Sequence, residues 1–341
     1  MFSVKDINKY QKEDKRNDYV LRISTPYCNL KCSYCRKEDF HIEPINDDEL
    51  LDIIKAGYEC GIRRVRWTGG EPTIKPDYAK LVRKTKEIGI EQQMLSTNGT
   101  TLYKIAEELR NSGIDRINIS LDTLDRKKFN EITGKDMLPQ VLNSIDIATD
   151  LFDLIKINRV LERSNIDETI SIIEFAEKYK GRKAQLVIRF IELVKGGFSN
   201  DDQYVKYNYC SGNEVLEIVK KRYGKLIETK VEGDNPMCYY YKIDVNGIVL
   251  GIVPNFSVNF QCGGKKCKKI RVNPTGFVSN CSIYQEFGHN LKGTSYEEKI
   301  KIMKHLIDEK QERNEEIFKK LKHYQSDYQF WRFGKVSKNN L

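Results

Sequence analysis

Three cysteines stand close together in the run Cys28-Asn29-Leu30-Lys31-Cys32-Ser33-Tyr34-Cys35, spaced C-x3-C-x2-C. Three thiolates at this spacing can wrap one cubane iron–sulfur cluster and ligate three of its irons, leaving the fourth open to another ligand. A closed zinc site would need a fourth protein ligand, and only His41 lies nearby. A second set, Cys262, Cys267 and Cys281, repeats the theme as C-x4-C-x13-C. An open iron there could take a nitrogen or oxygen of a substrate, and a zinc knuckle is the alternative. Cys238 is a distant candidate for a fourth ligand. Cys60, Cys210 and Cys238 otherwise read as small buried or incidental thiols.

The segments around these cysteines alternate between strand and helix patterns. YVLRIST reads as a strand that delivers the first cysteine loop. DDELLDIIKAGYECG is an amphipathic helix opened by acids and closed by Gly61, and RRVRWTGGEP is a strand running into a Gly-rich turn. The rhythm continues through YAKLVRKTKEIG, EQQMLSTNG, LYKIAEELRNSG, DRINISLD, VLNSIDIATDL, LIKINRVLE, DETISIIEFAEKYKG and AQLVIRFIEL. Short βα connections predict a parallel sheet with helices outside it, and sites in such sheets lie at the carboxyl ends of the strands. The first cysteine loop, GGEP, STNG and SLD all fall at those ends.

After about residue 200 the pattern changes. A helix, NEVLEIVKKRYG, precedes two strand–turn–strand pieces with turns at Asn246–Gly247 and Pro274–Gly276, and a charged helix follows from Ser295. The organisation read from this is a polar arm over 1–18, a partial barrel over 19–200, and a C-terminal region over 201–341 that carries the second cysteine set and a terminal helix.

The composition fits a soluble globular protein. The chain has 341 residues, a hydrophobic fraction of 39% and a formal charge of +9. No run of about 18 uncharged apolar residues is present, so no membrane span is expected. The charged start, MFSVKDINKYQKEDKRND, has no apolar core for secretion, and a cytoplasmic location is expected. Nine cysteines, an odd count, argue against a disulfide scaffold. The basic excess suits an anionic partner, or reflects a Lys-rich soluble surface.

The C-x3-C-x2-C loop after a strand resembles the radical S-adenosylmethionine (SAM) superfamily. The resemblance implies a [4Fe–4S] cluster whose open iron is chelated by the amino and carboxylate groups of SAM, and a 5′-deoxyadenosyl radical as the reactive species. Cys28, Cys32 and Cys35 are then the cluster ligands, and Tyr34 packs beside the adenine. Gly69, Gly70 and Glu71 correspond to the motif for the SAM amino group, while Thr97, Asn98 and Ser120 sit where ribose and carboxylate contacts fall. Plain turn and helix-cap chemistry is the alternative for these.

Within that superfamily the chain resembles the GTP 3′,8-cyclase family of molybdenum-cofactor biosynthesis. The likeness is carried by Leu21-Arg22-Ile23-Ser24, Thr68-Gly69-Gly70-Glu71-Pro72, Thr97-Asn98-Gly99, Ile117-Asn118-Ile119-Ser120-Leu121-Asp122, Lys156-Ile157-Asn158, Arg189-Phe190-Ile191-Glu192 and Arg271-Val272-Asn273-Pro274 with Gly276. It implies an α/β fold, an incomplete triosephosphate-isomerase-type (β/α)6 barrel, with a C-terminal extension holding a second [4Fe–4S] cluster at its mouth. It also implies a nucleotide substrate whose triphosphate is held by Arg22, Arg64, Arg66, Lys156, Arg189, Lys269 and Arg271. Arg189 reads as lying at a strand start, where a salt bridge beneath the barrel is the alternative. The sequence departs from the family in its C-x4-C spacing, in Lys268-Lys269 where the family has Asn-Arg, and in ending Asn339-Asn340-Leu341 where the family has Gly-Gly. A nucleoside natural-product precursor or a ribosomally made peptide is the alternative substrate. A flavodoxin- or ferredoxin-type electron donor and a homodimer are the expected partners, and nucleic acid is not.

Overall fold

The computed structural model describes residues 18–35, 43–193, 202–231, 238–254, 267–280 and 288–312. Its centre is a run of parallel strands lying side by side in chain order: β1 (Val20–Thr25), β2 (Arg64–Gly69), β3 (Gln92–Thr97), β4 (Arg116–Ser120), β5 (Leu154–Leu161) and β6 (Gln185–Glu192). Between them run α1 (Asp47–Glu59), α2 (Tyr78–Glu87), α3 (Ala106–Ser112), α4 (Arg126–Thr133), α5 (Leu138–Leu151) and α6 (Thr169–Glu177). Local signals place these elements. Asn46 caps α1 by accepting a 2.8 Å hydrogen bond from the Glu49 N–H, and acidic Asp47, Asp48 and Glu49 favour its positive end.

Successive strand residues point to opposite faces of a sheet. One face here is apolar: Leu21, Ile23, Val65, Trp67, Leu95, Ile117, Ile119, Ile155, Ile157, Ile188 and Phe190 all join the main core. Trp67 meets Tyr78 of α2 edge-on at 5.7 Å, so this face lies under the helices. The intervening residues therefore face the other way, and they are polar: Arg22, Arg66, Ser96, Asn118, Ser120, Lys156, Asn158 and Arg189. Each fully buried Leu, Ile or Val stabilises the fold by about 1.5–3 kcal/mol. A one-residue slip would drive the arginines into the helix layer, so the register is strongly specified.

The chain beyond residue 200 continues the same sheet. α7 (Asp202–Asn208) and α8 (Gly212–Tyr223) lead to β7 (Leu226–Thr229), β8 (Tyr239–Ile243) and β9 (Val249–Val253). Then come β10 (Lys269–Val272), β11 (Phe277–Ser279), β12 (Gly288–Asn290) and α9 (Tyr296–Glu312). β9 pairs parallel with β6 and β10 parallel with β1, giving the order β12-β11-β10-β1-β2-β3-β4-β5-β6-β9-β8-β7. The two predicted hairpin-like pieces thus sit on opposite edges of the partial barrel, which stays open between β12 and β7 among the described residues. Gly247 and Gly276 turn them with φ of +76° and +82°.

Candidate active site

The first cysteine loop leaves the carboxyl end of β1 through Tyr27, whose φ of +54° is unusual for a residue with a side chain. Two contacts seat the loop on α4, a helix the sequence reading missed. The Lys31 N–H donates to the Thr133 carbonyl at 2.8 Å, and the Ser33 N–H to the Ile132 carbonyl at 2.9 Å. The last carbonyls of a helix lack partners within it, so the loop satisfies α4 as α4 positions the loop. Asn98 reaches in from β3, its Nδ2 lying 3.8 Å from Cys28 Sγ and 2.9 Å from Asn29 Oδ1. The Tyr34 hydroxyl donates to Asp122 Oδ2 at 2.6 Å.

Cys28, Cys32 and Cys35 are half-buried and in no disulfide. Burial, then the Asp122 carboxylate, then the Cys35 and Cys28 thiols push Cys32 above its ordinary range. Burial likewise raises Cys28. The three thiols are thus close enough to affect one another. Among the described residues, however, no group of three or more His, Cys, Asp or Glu side chains is arranged to hold a single metal ion. A cubane takes each thiolate on a different iron, and one loop that carries three cysteines at the end of a strand supplies that donor set. The residues present fit a [4Fe–4S] cluster.

The Gly-rich turn after β2 lies against the approach to Cys28. The Gly70 N–H donates to the Thr25 carbonyl at 2.9 Å, and the Glu71 N–H to the Tyr27 carbonyl at 2.8 Å. A Cβ on Gly70 would stand 1.8 Å from the Tyr27 oxygen, so only glycine permits the approach. Gly69, with φ of +111°, is equally confined. Glu71 is buried at the end of the same turn. It is 1% exposed, and its carboxylate accepts from the Thr73 N–H at 3.0 Å, the Thr73 and Thr97 hydroxyls at 2.6 Å each, and the Asn98 N–H. Three of these bonds fall on Oε1 and one on Oε2, so the carboxylate positions the turn and the end of β3 and keeps acceptor capacity on Oε2. Ser120 ends β4, half-buried, on the polar face.

The basic residues of that face fall into sets. Arg22 of β1 is in register with Arg66 of β2 on one side and Arg271 of β10 on the other. Burial, then the Arg66 and Arg271 charges, lower the Arg22 pKa to about 10. Lys269 lies beside Val20, two residues before Arg271 on the same face. Lys156 is buried on β5. Arg189 is not at a strand start: it is the fifth residue of β6, and its Nε donates to Asn158 Oδ1 at 2.9 Å. Arg64 flanks Val20 opposite Lys269, so both stand two residues below the Arg271–Arg22–Arg66 row. It opens β2 at the amino end of the sheet, where it donates to the Asp18 carbonyl and pairs with the Asp18 carboxylate at 3.7 Å. Asn158 and Asp122 were missed as site residues. Two-residue alternation in KIN and INISLD is the signal that marks the side facing Lys156 and Ser120.

Of the second cysteine set, Cys262 and Cys281 lie outside the described residues. Cys267 immediately precedes the Lys268 that leads into β10, and it is half-buried. Burial would raise its thiol, but Lys310 and Lys269 hold it below the ordinary value. Cys60 and Cys210 are buried thiols of the core.

A parallel sheet of this order, with three cysteines at the end of its first strand and a Gly-rich turn at the end of the next, defines a radical SAM enzyme. The Radical SAM superfamily matches residues 23–176. A [4Fe–4S] cluster and SAM are the cofactors of that superfamily. The chain is 36% identical over 310 residues to the GTP 3′,8-cyclase of Clostridium perfringens (strain SM101 / Type A), covering 87% of this chain and 91% of the relative. It belongs to the GTP 3′,8-cyclase family. Among solved structures, native anSMEcpe with bound AdoMet superposes with a TM-score of 0.58 at 16% identity, over 85% of this chain and 82% of that one. Streptococcus suis SuiB bound to S-adenosylmethionine gives 0.54 at 18% identity, over 77% of this chain, which spans 60% of SuiB. At these identities the likeness is one of fold alone. No helix among the described residues is long and apolar enough to cross a membrane.

Proposed function

We propose that this chain is a GTP 3′,8-cyclase that holds the triphosphate of its substrate on the basic inner face of the sheet. Cys28, Cys32 and Cys35 hold the first cluster. SAM lies against Tyr34, Gly69, Gly70, Thr97, Asn98 and Ser120, with Glu71 as the brace behind them. When bound, the cluster and SAM supply a 5′-deoxyadenosyl radical that takes a hydrogen from the nucleotide. Cys262, Cys267 and Cys281 hold a second cluster facing the base. Arg22, Arg66, Lys156, Arg189, Lys269 and Arg271 bind and orient the phosphates. A flavodoxin- or ferredoxin-type protein supplies the electron.

The observation that carries this reading is the row Arg271–Arg22–Arg66 on three adjacent strands. Two unit charges about 6 Å apart repel by about 3 kcal/mol at an effective dielectric of about 20. Such a row suits an anion, and a triphosphate brings about four negative charges that guanidinium groups grip bidentately.

Calorimetry on the reconstituted protein tests it. GTP should bind, and Arg189→Ala and Arg271→Ala should each weaken it by about 1.5–3 kcal/mol, the scale of a hydrogen bond to a charged group. SAM affinity should stay unchanged. No binding of any nucleoside triphosphate, or binding untouched by both substitutions, overturns the assignment.

A further inference from the structure

A buried carboxylate stands just past β5, outside the motifs that mark the site. Glu162 follows Leu161, the last residue of that strand, and is only 2% exposed. A carboxylate so placed is costly unless it is hydrogen-bonded. The Tyr204 hydroxyl of α7 donates to its Oε1 at 2.5 Å, and the Ser164 hydroxyl to its Oε2 at 3.4 Å.

Tyr204 reaches the cysteine loop as well. Its oxygen lies 3.0 Å from the Oγ of Ser33, the residue after Cys32. Tyr204 has one hydroxyl proton and Glu162 takes it, so Ser33 is the donor in the second bond. The chain Ser33–Tyr204–Glu162 therefore runs from the cysteine loop through α7 to the end of β5. α7 is itself pinned there. The Arg163 N–H donates to the Asn208 carbonyl at 3.0 Å, and Glu162 forms a β-bridge with Tyr209. The two residues after Cys32 thus each end on a buried carboxylate: Tyr34 directly on Asp122, and Ser33 through Tyr204 on Glu162.

We infer that Tyr204 is a positioning residue of the first cluster, clasping the cysteine loop between Cys32 and Cys35 to the end of β5. The inference rests on the proposal that Cys28, Cys32 and Cys35 hold that cluster. Cys32 and Cys35 flank Ser33 and Tyr34, so a loop held at both intervening residues keeps its two sulfurs in place. The Tyr34–Asp122 bond and the seat on α4 are made within the barrel, and Tyr204 is what the chain beyond residue 200 adds. Groups behind the ligands of a metal centre fix their orientation and so tighten its hold. Without the Ser33 bond the loop opens more often, and iron leaves faster.

The test uses the reconstituted full chain, exposed for set times to an iron chelator and then reduced with and without SAM. SAM chelates the open iron of the first cluster, so the part of the electron paramagnetic resonance signal that shifts with SAM counts that cluster. Tyr204→Phe keeps the ring and loses the hydroxyl, and Ser33→Ala changes an exposed residue, so both should fold, checked by circular dichroism. Each should lose the SAM-responsive signal about two- to tenfold faster than the wild type, the scale of one hydrogen bond. Tyr204→Phe should matter less in a chain that already carries Ser33→Ala, because the two substitutions remove one shared bond. A wild-type rate in either single variant overturns the inference. Fully multiplied effects in the double variant overturn it too, since Tyr204 would then act other than through Ser33. Unfolding of Tyr204→Phe does the same by making Tyr204 a residue of the fold. If the wild type itself gives no SAM-responsive signal, the inference falls with the first-cluster proposal, and this control tells that failure from the others.

Discussion

The hydroxyl of Tyr34 donates a 2.6 Å hydrogen bond to the carboxylate of Asp122, tying the middle of the cysteine loop to the carboxyl end of the fourth strand. The other carboxylate oxygen, Oδ1, accepts the Val160 N–H at 2.8 Å, so one buried aspartate links β4, β5 and the cluster loop. Burial raises the Asp122 pKa, while the Tyr34 and Val160 hydrogen bonds oppose the shift. Tyr34→Phe keeps the ring and removes one donor, and should cost about 1.5–3 kcal/mol in urea-induced unfolding of the apo protein. Asp122→Ala should cost more, because it also strands the Val160 N–H. Equal costs for the two would contradict this linkage.

Glu71 offers a second separation of roles. As an internal acceptor for four donors it should be needed for the shape of the SAM site without touching SAM. Glu71→Ala should raise the SAM dissociation constant at least tenfold, about 1.4 kcal/mol, and should lower the thermal midpoint of the apo protein as well. Glu71→Gln keeps one oxygen and should fall between. Weakened SAM binding with unaltered apo stability would mean that Glu71 contacts the ligand directly.

Gly70→Ala tests the close approach of the Gly-rich turn to the cysteine loop. A Cβ placed 1.8 Å from the Tyr27 oxygen must push the turn and the loop apart. Iron incorporation at the first cluster should fall, measured in a chain whose second cysteine set is replaced by alanine. Wild-type iron content would show that the approach can relax.

The arginine row predicts opposite effects on stability and binding. Burial and the Arg66 and Arg271 charges depress Arg22 to about 10, so its charged form is disfavoured by the fold. For a base with a depressed pKa, this destabilisation is present at every pH below about 10 and is relieved as pH rises through that value. Removing a neighbouring charge relieves it at neutral pH. Arg66→Leu should therefore raise the thermal midpoint of the unliganded protein while weakening GTP binding. Inorganic triphosphate should stabilise the wild type, more strongly at low salt, and stabilise the variant less. A variant that loses both stability and binding would speak against charge crowding.

Much of this arrangement is legible in the sequence. The central strands follow from apolar residues alternating with polar ones, as in Val65-Arg66-Trp67, where Trp67 enters the core and Arg66 turns away. Glycine and the cysteine spacing mark the turns at the strand ends. Other features depend on long-range pairing that no local pattern encodes. β9 and β10 could each have paired elsewhere, and only the assembled sheet sets Arg271 beside Arg22. Helix α4 escapes notice because RKKFNEIT is polar, with Phe129 and Ile132 its main apolar anchors. Lys310 sits in a helix so rich in charge that it reads as solvated, and its burial follows from how α9 packs on α1 and meets Asn280. The donors around Glu71 are equally illegible, because a sequence shows a carboxylate but not the Thr73, Thr97 and Asn98 groups that the fold brings to it.

The most direct test of the central claim is the rate of 5′-deoxyadenosine formation by the anaerobically reconstituted chain with SAM and reductant, with and without GTP. Slow formation is expected without nucleotide, clear acceleration by GTP over guanosine, and none in the variant with Cys28, Cys32 and Cys35 replaced by alanine. Full formation in that variant, or no acceleration by any nucleoside triphosphate in the wild type, would contradict it.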